Sequence, residues 1–183
     1  MISERELPSA SASALHAALR GSLTKVAPQL AADAARAKTD DPNDAAAARH
    51  FQALLEAAYL VASADGLADA ERRTLAALLE AASGQAFASD KFELHFRDLD
   101  DAVEMLGRRE RLRRTAEEFE TREARDEAIG FALLVAIGDG KLAAPEIAAW
   151  RELGTLLGFS EDALERRCKE IFEHLELALR SNA

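Results

Sequence analysis

The fold follows from the stretch GFALLVAIGDGKLAAPE, residues 130–146, in which an almost unbroken apolar run ends in Asp-Gly and restarts at Pro-Glu. A second copy of this pattern, AAYLVASADGLADAER, occupies residues 57–72. Both copies predict an apolar helix, an Asp-Gly turn, a short spacer and a glutamate in the first turn of an amphipathic helix. An internal duplication of this kind predicts two similar helical units within one fold.

Composition and charge exclude several classes of protein. Apolar residues make up 49% of the 183 residues and aromatic residues only 5%, so the core must be built mainly from Ala, Leu, Val and Ile. The net charge of −10 argues against binding to nucleic acid or to an anionic membrane, and it suits cations or basic protein partners. The single cysteine, Cys168, excludes an internal disulfide and a thiolate metal cluster. The apolar runs are too short to span a bilayer, which takes ~20 residues, and we expect a cytoplasmic protein.

The helical periodicity predicts an all-α protein, because no segment alternates well enough to form a strand. We expect a compact bundle of six to eight helices with an internal pseudo-two-fold repeat. Residues 54–64 and 128–138 are apolar on nearly all faces, apart from Glu56, and are predicted to be two central helices packed against each other. The predicted organisation is a flexible N-terminus at 1–13, a helical extension and linker at 14–43, and a helical domain at 44–183, which comprises repeat one (44–84), connecting helices (89–121) and repeat two (122–180).

The aspartate of each Asp-Gly turn, Asp65 or Asp139, follows the carboxyl end of a helix, where a negative charge is unfavourable by ~0.3–1 kcal/mol unless it is compensated. It can accept backbone N–H groups in a turn whose glycine takes a positive φ angle. Alternatively, it can bind a divalent cation, Ca²⁺ or Mg²⁺, together with the glutamate of the next helix, Glu71 or Glu146. The residue pattern leaves both alternatives open.

The second copy matches the second half of a calcium-binding loop, since Glu146 follows Asp139 by the spacing such loops use. Val135 and Ile137 occupy positions that should be acidic, so a complete EF-hand is excluded. The first copy is one residue shorter between Asp65 and Glu71, which turns the glutamate by about 100° around its helix. We therefore expect Asp139 with Glu146 to bind an ion more tightly than Asp65 with Glu71.

The paired motifs resemble those of TerB-like (tellurite-resistance B) proteins, over roughly residues 45–160. The resemblance rests on Ala64-Asp65-Gly66 with Glu71-Arg72, and on Gly138-Asp139-Gly140 with Pro145-Glu146 and Leu156-Leu157-Gly158. It implies an all-helical fold with internal pseudo-symmetry and a role in stress or metal-resistance complexes rather than catalysis. It also implies that Asp65, Glu71, Asp139 and Glu146 are associated with metal-ion binding. Gly138 departs from the family pattern, which has alanine at that position.

The remaining candidate residues favour structural roles. The histidines have no metal-ligand spacing, and Cys168 and Trp150 are predicted to lie in the core. The arginine run at 108–114 is interpreted as a solvated helix whose arginines pair with carboxylates three or four residues away. Asp126 and Glu127 are interpreted as charges placed favourably at the start of their own helix. The histidines are His16, His50, His95 and His174.

No nucleophile elbow, phosphate-binding loop or catalytic triad pattern is present, so we expect a protein that is not an enzyme. The main hypothesis is a non-catalytic domain that binds a divalent cation weakly or presents an acidic face to protein partners. The alternative is an interaction adaptor whose Asp-Gly turns are purely structural. A third hypothesis is a small enzyme with acid/base carboxylates, which strongly raised carboxylate pKa values in a closed pocket would favour.

Overall fold

The computed structural model describes residues 2–30, 42–66, 69–83 and 89–181, with the side chains at 42–44, 82–83 and 89–93 left out. These parts of the chain form eight α-helices and one pair of two-residue strands, which confirms the predicted all-α class. The strands are β1 (Arg5–Glu6) and β2 (Lys141–Leu142). The helices are α1 (Ala12–Val26), α2 (Pro42–Ala62), α3 (Asp69–Ser83), α4 (Ser89–Leu106), α5 (Arg108–Glu117), α6 (Arg122–Ala136), α7 (Ala144–Leu156) and α8 (Glu161–Ser181).

Helices α2 and α6 form the centre of the bundle, as the apolar runs predicted. Every residue from 54 to 62 and from 127 to 136 is buried, and these two helices have the most extensive contact of any described pair. A helix that is apolar on all faces is stable only when neighbours cover every side. Here α7 and α3 also contact α6, and α5 and α7 contact α2.

Helix α1, most of which falls in the predicted extension at 14–43, packs against other helices of the bundle. It packs against α8, α3 and α6, and it runs uninterrupted through Gly21. It ends before Pro28, whose ring cannot continue a helix. The part of the predicted extension at 31–41 lies outside the described residues. The apolar stripe that α1 buries consists of Leu15, Ala18, Leu19, Leu23 and Val26.

Residues 2–7, which fall in the segment predicted to be a flexible terminus (1–13), pack against the rest of the chain. Ile2 and Leu7 are buried, and β1 pairs with β2 in an antiparallel register. Two paired residues are too short to show the alternation by which a strand is recognised in a sequence. Single apolar residues separated by four polar ones likewise give no periodic signal.

The arginine run forms α5, and the interpretation as a solvated helix holds for only part of it. Arg113 pairs with Glu110 and Glu117 on the exposed face, as predicted. Arg111 instead turns inward and pairs with Glu56, the one charged residue in the apolar half of α2. Because Arg111 satisfies this buried carboxylate, Glu56 is tolerated next to the core.

The last helix, α8, is amphipathic and begins after a serine cap. The Ser160 hydroxyl accepts the Ala163 N–H at 3.3 Å and caps the helix. Of the described helices, none has the length and apolar character that a membrane crossing requires. The buried stripe of α8 consists of Leu164, Cys168, Ile171, Phe172, Leu175 and Leu179.

Replacing Leu60 or Leu134 by Ala is expected to lower the free energy of unfolding by ~2–5 kcal/mol, because both side chains are fully buried. Leu177→Ala is the matched control, since its side chain is 62% exposed, and it should change stability by less than ~0.5 kcal/mol. Urea unfolding measures all three. A loss below ~1 kcal/mol at both buried positions would mean that α2 and α6 are not the core.

Candidate functional site

Both Asp-Gly turns lie directly after the buried central helices. Gly66 and Gly140 have φ angles of 106° and 92°, the left-handed conformation that glycine adopts most easily. Asp65 and Asp139 are both exposed beside them. The predicted turn geometry is therefore present in both copies.

Asp139 makes the hydrogen bond expected of a structural turn. Its Oδ1 accepts the backbone N–H of Lys141 at 2.8 Å. A side-chain oxygen that accepts the amide two residues ahead mimics a backbone turn and fixes the loop that follows.

The carboxyl end of α2 is held by an arginine from α5. The Arg108 guanidinium donates to the Ser63 carbonyl at 2.7 Å and to its hydroxyl at 3.0 Å, and it also donates to the Leu60 carbonyl. A cation at this helix end offsets the negative end of the helix dipole and the charge of Asp65. Partial burial lowers the pKa of the Arg108 guanidinium, and its electrostatic interactions with Tyr59, Asp100 and Asp65 oppose this shift. This compensation is neither of the two that the sequence suggested.

The carboxyl end of α6 is held by a neutral side chain. The Thr74 hydroxyl donates to the Gly138 carbonyl at 3.2 Å. A Cβ at position 138 would lie 2.8 Å from the Thr74 Cβ, closer than such atoms approach. The contact explains why this chain has glycine rather than alanine at position 138.

Glu146 combines a helix cap with a buried carboxyl. Its Oε2 accepts the Ala143 N–H at 2.7 Å, and the residue is 3% exposed. Ala143 has no side chain that could reciprocate, so Glu146 supplies the side-chain hydrogen bond of this helix start. Pro145 is the second residue of α7.

Glu71 and Glu146, one from each sequence copy, meet in the interior. Glu71 is 4% exposed, and its carboxyl shares a hydrogen bond with that of Glu146. Burial, this hydrogen bond and the charges of Glu71 and Asp65 raise the pKa of Glu146 to about 9, while the Ala143 N–H opposes the shift. Burial and the neighbouring carboxylates thus favour the protonated form of Glu146.

The structure thus groups the predicted site residues across the copies. Glu71 and Glu146 are in contact, and Asp65 is near enough to act on Glu146, whereas the Asp139 carboxylate accepts the Lys141 amide within its own turn. In the parts of the chain that the structure describes, no three or more His, Cys, Asp or Glu side chains enclose a space for a metal ion as they stand. The donor set itself suits Ca²⁺ or Mg²⁺, because these ions prefer carboxylate oxygens and water. The side chain of the exposed Asp65 would have to turn toward Glu71 and Glu146 to add a third carboxylate to this donor set.

Glu127 has a role that the sequence did not indicate. Its Oε1 accepts the backbone N–H groups of Gln29 and Leu30 at 2.9 and 2.8 Å, and its Oε2 lies 3.6 Å from His50 Nε2. The interpretation that Glu127 serves the start of its own helix is wrong, because α6 begins at Arg122 and Glu127 lies beyond its first turn. No local pattern reveals a partner almost a hundred residues away. Glu127 also lines a cleft of about 590 Å³, separate from the Glu71–Glu146 pair.

The other predicted structural residues lie where they were expected. All four histidines are half-buried at the boundary of the core. Cys168 is fully buried, which raises the pKa of its thiol. Trp150 is also fully buried and donates its indole N–H to the Ile129 carbonyl at 2.9 Å.

No family model, no curated protein and no solved structure matches this chain.

Glu146→Gln is expected to remove a loss of stability that occurs as pH rises. The folded pKa of about 9 is above the usual value of 4.5, so between these values the folded state keeps a proton that the unfolded chain has released. The stability from this group is complete below the unfolded pKa and decreases toward pH 9, by at most ~1.4 kcal/mol per pH unit. Urea unfolding from about pH 5.5 to about pH 8 should show the variant gaining stability relative to the original protein. The exposed Glu173→Gln is the control, and a difference that stays constant with pH would show that the pair shares no proton.

Gly138→Ala is expected to destabilise the protein by ~1–3 kcal/mol, because the added methyl group collides with Thr74. Gly21→Ala provides the opposite case, since that position is in an exposed helix interior with open space around it. It should stabilise the protein by ~0.5–1 kcal/mol. Thermal unfolding of the two variants compares them directly, and equal effects would contradict the close approach at position 138.

Proposed function

We propose that this protein is a non-catalytic, TerB-like helical domain that binds a divalent cation weakly at Asp65, Glu71 and Glu146 and serves in a stress or metal-resistance complex with protein partners. The observation that supports the cation site is the contact between Glu71 and Glu146. It joins the two motif copies into one cluster, where the sequence alone suggested two separate loops.

The chemistry of the cluster suits exchange of a proton for a cation. Two buried carboxyls that share one proton hold a single negative charge, and like charges keep the second from forming. A divalent cation would allow both to ionise, and the exposed Asp65 would supply a further oxygen. With three carboxylates and no enclosing cage, water would complete the coordination, and the affinity would be low.

A second candidate function is an interaction adaptor with structural turns. The hydrogen bonds of Asp139 and Arg108 favour it. Asp139 is engaged by the Lys141 amide, and Arg108 already provides a positive charge at the end of α2. The net charge of −10 would then serve only to attract basic partners.

The raised pKa of Glu146 also bears on the enzyme hypothesis, because acid/base catalysts need such shifts. A catalyst must also be reachable by its substrate. Glu71 and Glu146 are almost fully buried, and the cleft of about 590 Å³ is lined by other residues, among them His50 and Glu127. The burial of the pair therefore supports a non-catalytic function.

Calorimetric titration with CaCl₂ and with MgCl₂ tests the proposal on Asp65→Asn and Asp139→Asn side by side. The geometry favours a loss of about tenfold or more in affinity for Asp65→Asn and a small change for Asp139→Asn. The loop spacing alone predicts the reverse, namely that Asp139→Asn reduces the ion affinity more than Asp65→Asn does. Asp101→Asn, an exposed aspartate of α4, controls for the change in net charge.

Each result has a distinct meaning. If Asp139→Asn lowers the ion affinity more than Asp65→Asn does, the second loop is the site and the proposed cluster of Asp65, Glu71 and Glu146 is wrong. If the original protein binds no ion at millimolar concentrations, the cation function is rejected and the adaptor function remains.

A further inference from the structure

The N-terminal strap, residues 2–7, lies against the loop that joins Asp139 to Glu146. Strands β1 and β2 pair with Arg5 opposite Leu142 and Glu6 opposite Lys141. The Leu7 N–H donates to the Gly140 carbonyl at 2.8 Å, which extends the contact to the glycine of the turn.

Three side chains attach the strap to the bundle. Ile2 and Leu7, at its two ends, are 7% and 5% exposed and belong to the main hydrophobic cluster. Between them, the Arg5 guanidinium lies over the Phe172 ring of α8, 5.4 Å from its centroid. Burial of two apolar ends and a cation–π contact are enough to order a short extended segment.

The strap supplies backbone hydrogen bonds that help to determine the path of the loop. The Gly140 N–H donates to the Ile137 carbonyl at 2.8 Å, while its own carbonyl is taken by Leu7. Lys141 and Leu142 are paired with β1, and the Ala143 N–H is taken by Glu146. Residues 140–142 thus rely on the strap for backbone hydrogen bonds to other parts of the chain.

We propose that the strap is a positioning element for the candidate cation site: it fixes the loop before Glu146 and thereby sets the ion affinity of the carboxylate cluster. This inference rests on the proposed function for its affinity part, whereas the control of loop conformation does not depend on it. The physical reason is preorganisation, because a loop that is already ordered loses less entropy when an ion binds. Displacement of the strap is then a means by which the site can be weakened without any change to its ligands.

The first measurement is limited trypsin digestion of the full chain, with mass spectrometry to follow cleavage after the exposed Lys141. Leu7→Ala and the double variant Ile2→Ala/Leu7→Ala should be cleaved there about tenfold faster or more, since cleavage follows the population of the opened loop. Glu4→Ala is the matched control, an exposed change in the same segment, and Leu7→Ile should retain the slow cleavage of the original protein. Circular dichroism and the rate of cleavage at other sites separate local opening from global unfolding.

The second measurement is titration of the same variants with CaCl₂ and MgCl₂. The strap variants should bind about fivefold more weakly, with Glu4→Ala and Leu7→Ile unchanged. Unchanged cleavage after Lys141 in a folded Leu7→Ala protein overturns the positioning role, whatever the titration shows. Faster cleavage with unchanged ion affinity overturns the effect on the site. If the original protein binds no ion, the proposed cation function fails and the digestion alone decides the role of the strap.

Discussion

The burial of α2 and α6 on every face is the constraint from which the other features follow. A helix end leaves backbone carbonyls without helical partners, and at the surface water would satisfy them. Here the ends of both helices lie against protein, and side chains from other elements take the place of water. Arg108 donates to carbonyls at the end of α2, and Thr74 donates to the carbonyl of Gly138, two residues after α6.

The two ends are satisfied by groups of different charge, although the motifs that precede them are alike. The first end faces a guanidinium, so the negative charge of Asp65 is partly neutralised within the chain. The second faces a neutral hydroxyl and is followed by a loop that the N-terminus holds. The duplicated sequence therefore produces two turns with the same backbone conformation and unequal electrostatic surroundings.

The sequence predicted the features that depend on local order. The central helices and both Asp-Gly turns follow from periodicity or from residues within a few positions of one another. The Glu71–Glu146 pair, the Arg108 contact and the strap each join segments separated by tens of residues or more. Such contacts depend on how helices are arranged in space, which periodicity does not encode. The candidate site residues were identifiable from their motifs, but their grouping across the copies was not.

Trp150 makes the interior of this bundle optically observable. It is the only tryptophan of the chain, it is fully buried, and its indole N–H is bound to the Ile129 carbonyl of α6. An indole sealed from water emits at shorter wavelengths than one in solvent, so one fluorophore distinguishes an intact core from a hydrated one. Trp150 also lies one helical turn after Glu146 on α7. The same emission therefore comes from a residue one helical turn from Glu146 and in direct contact with a central helix.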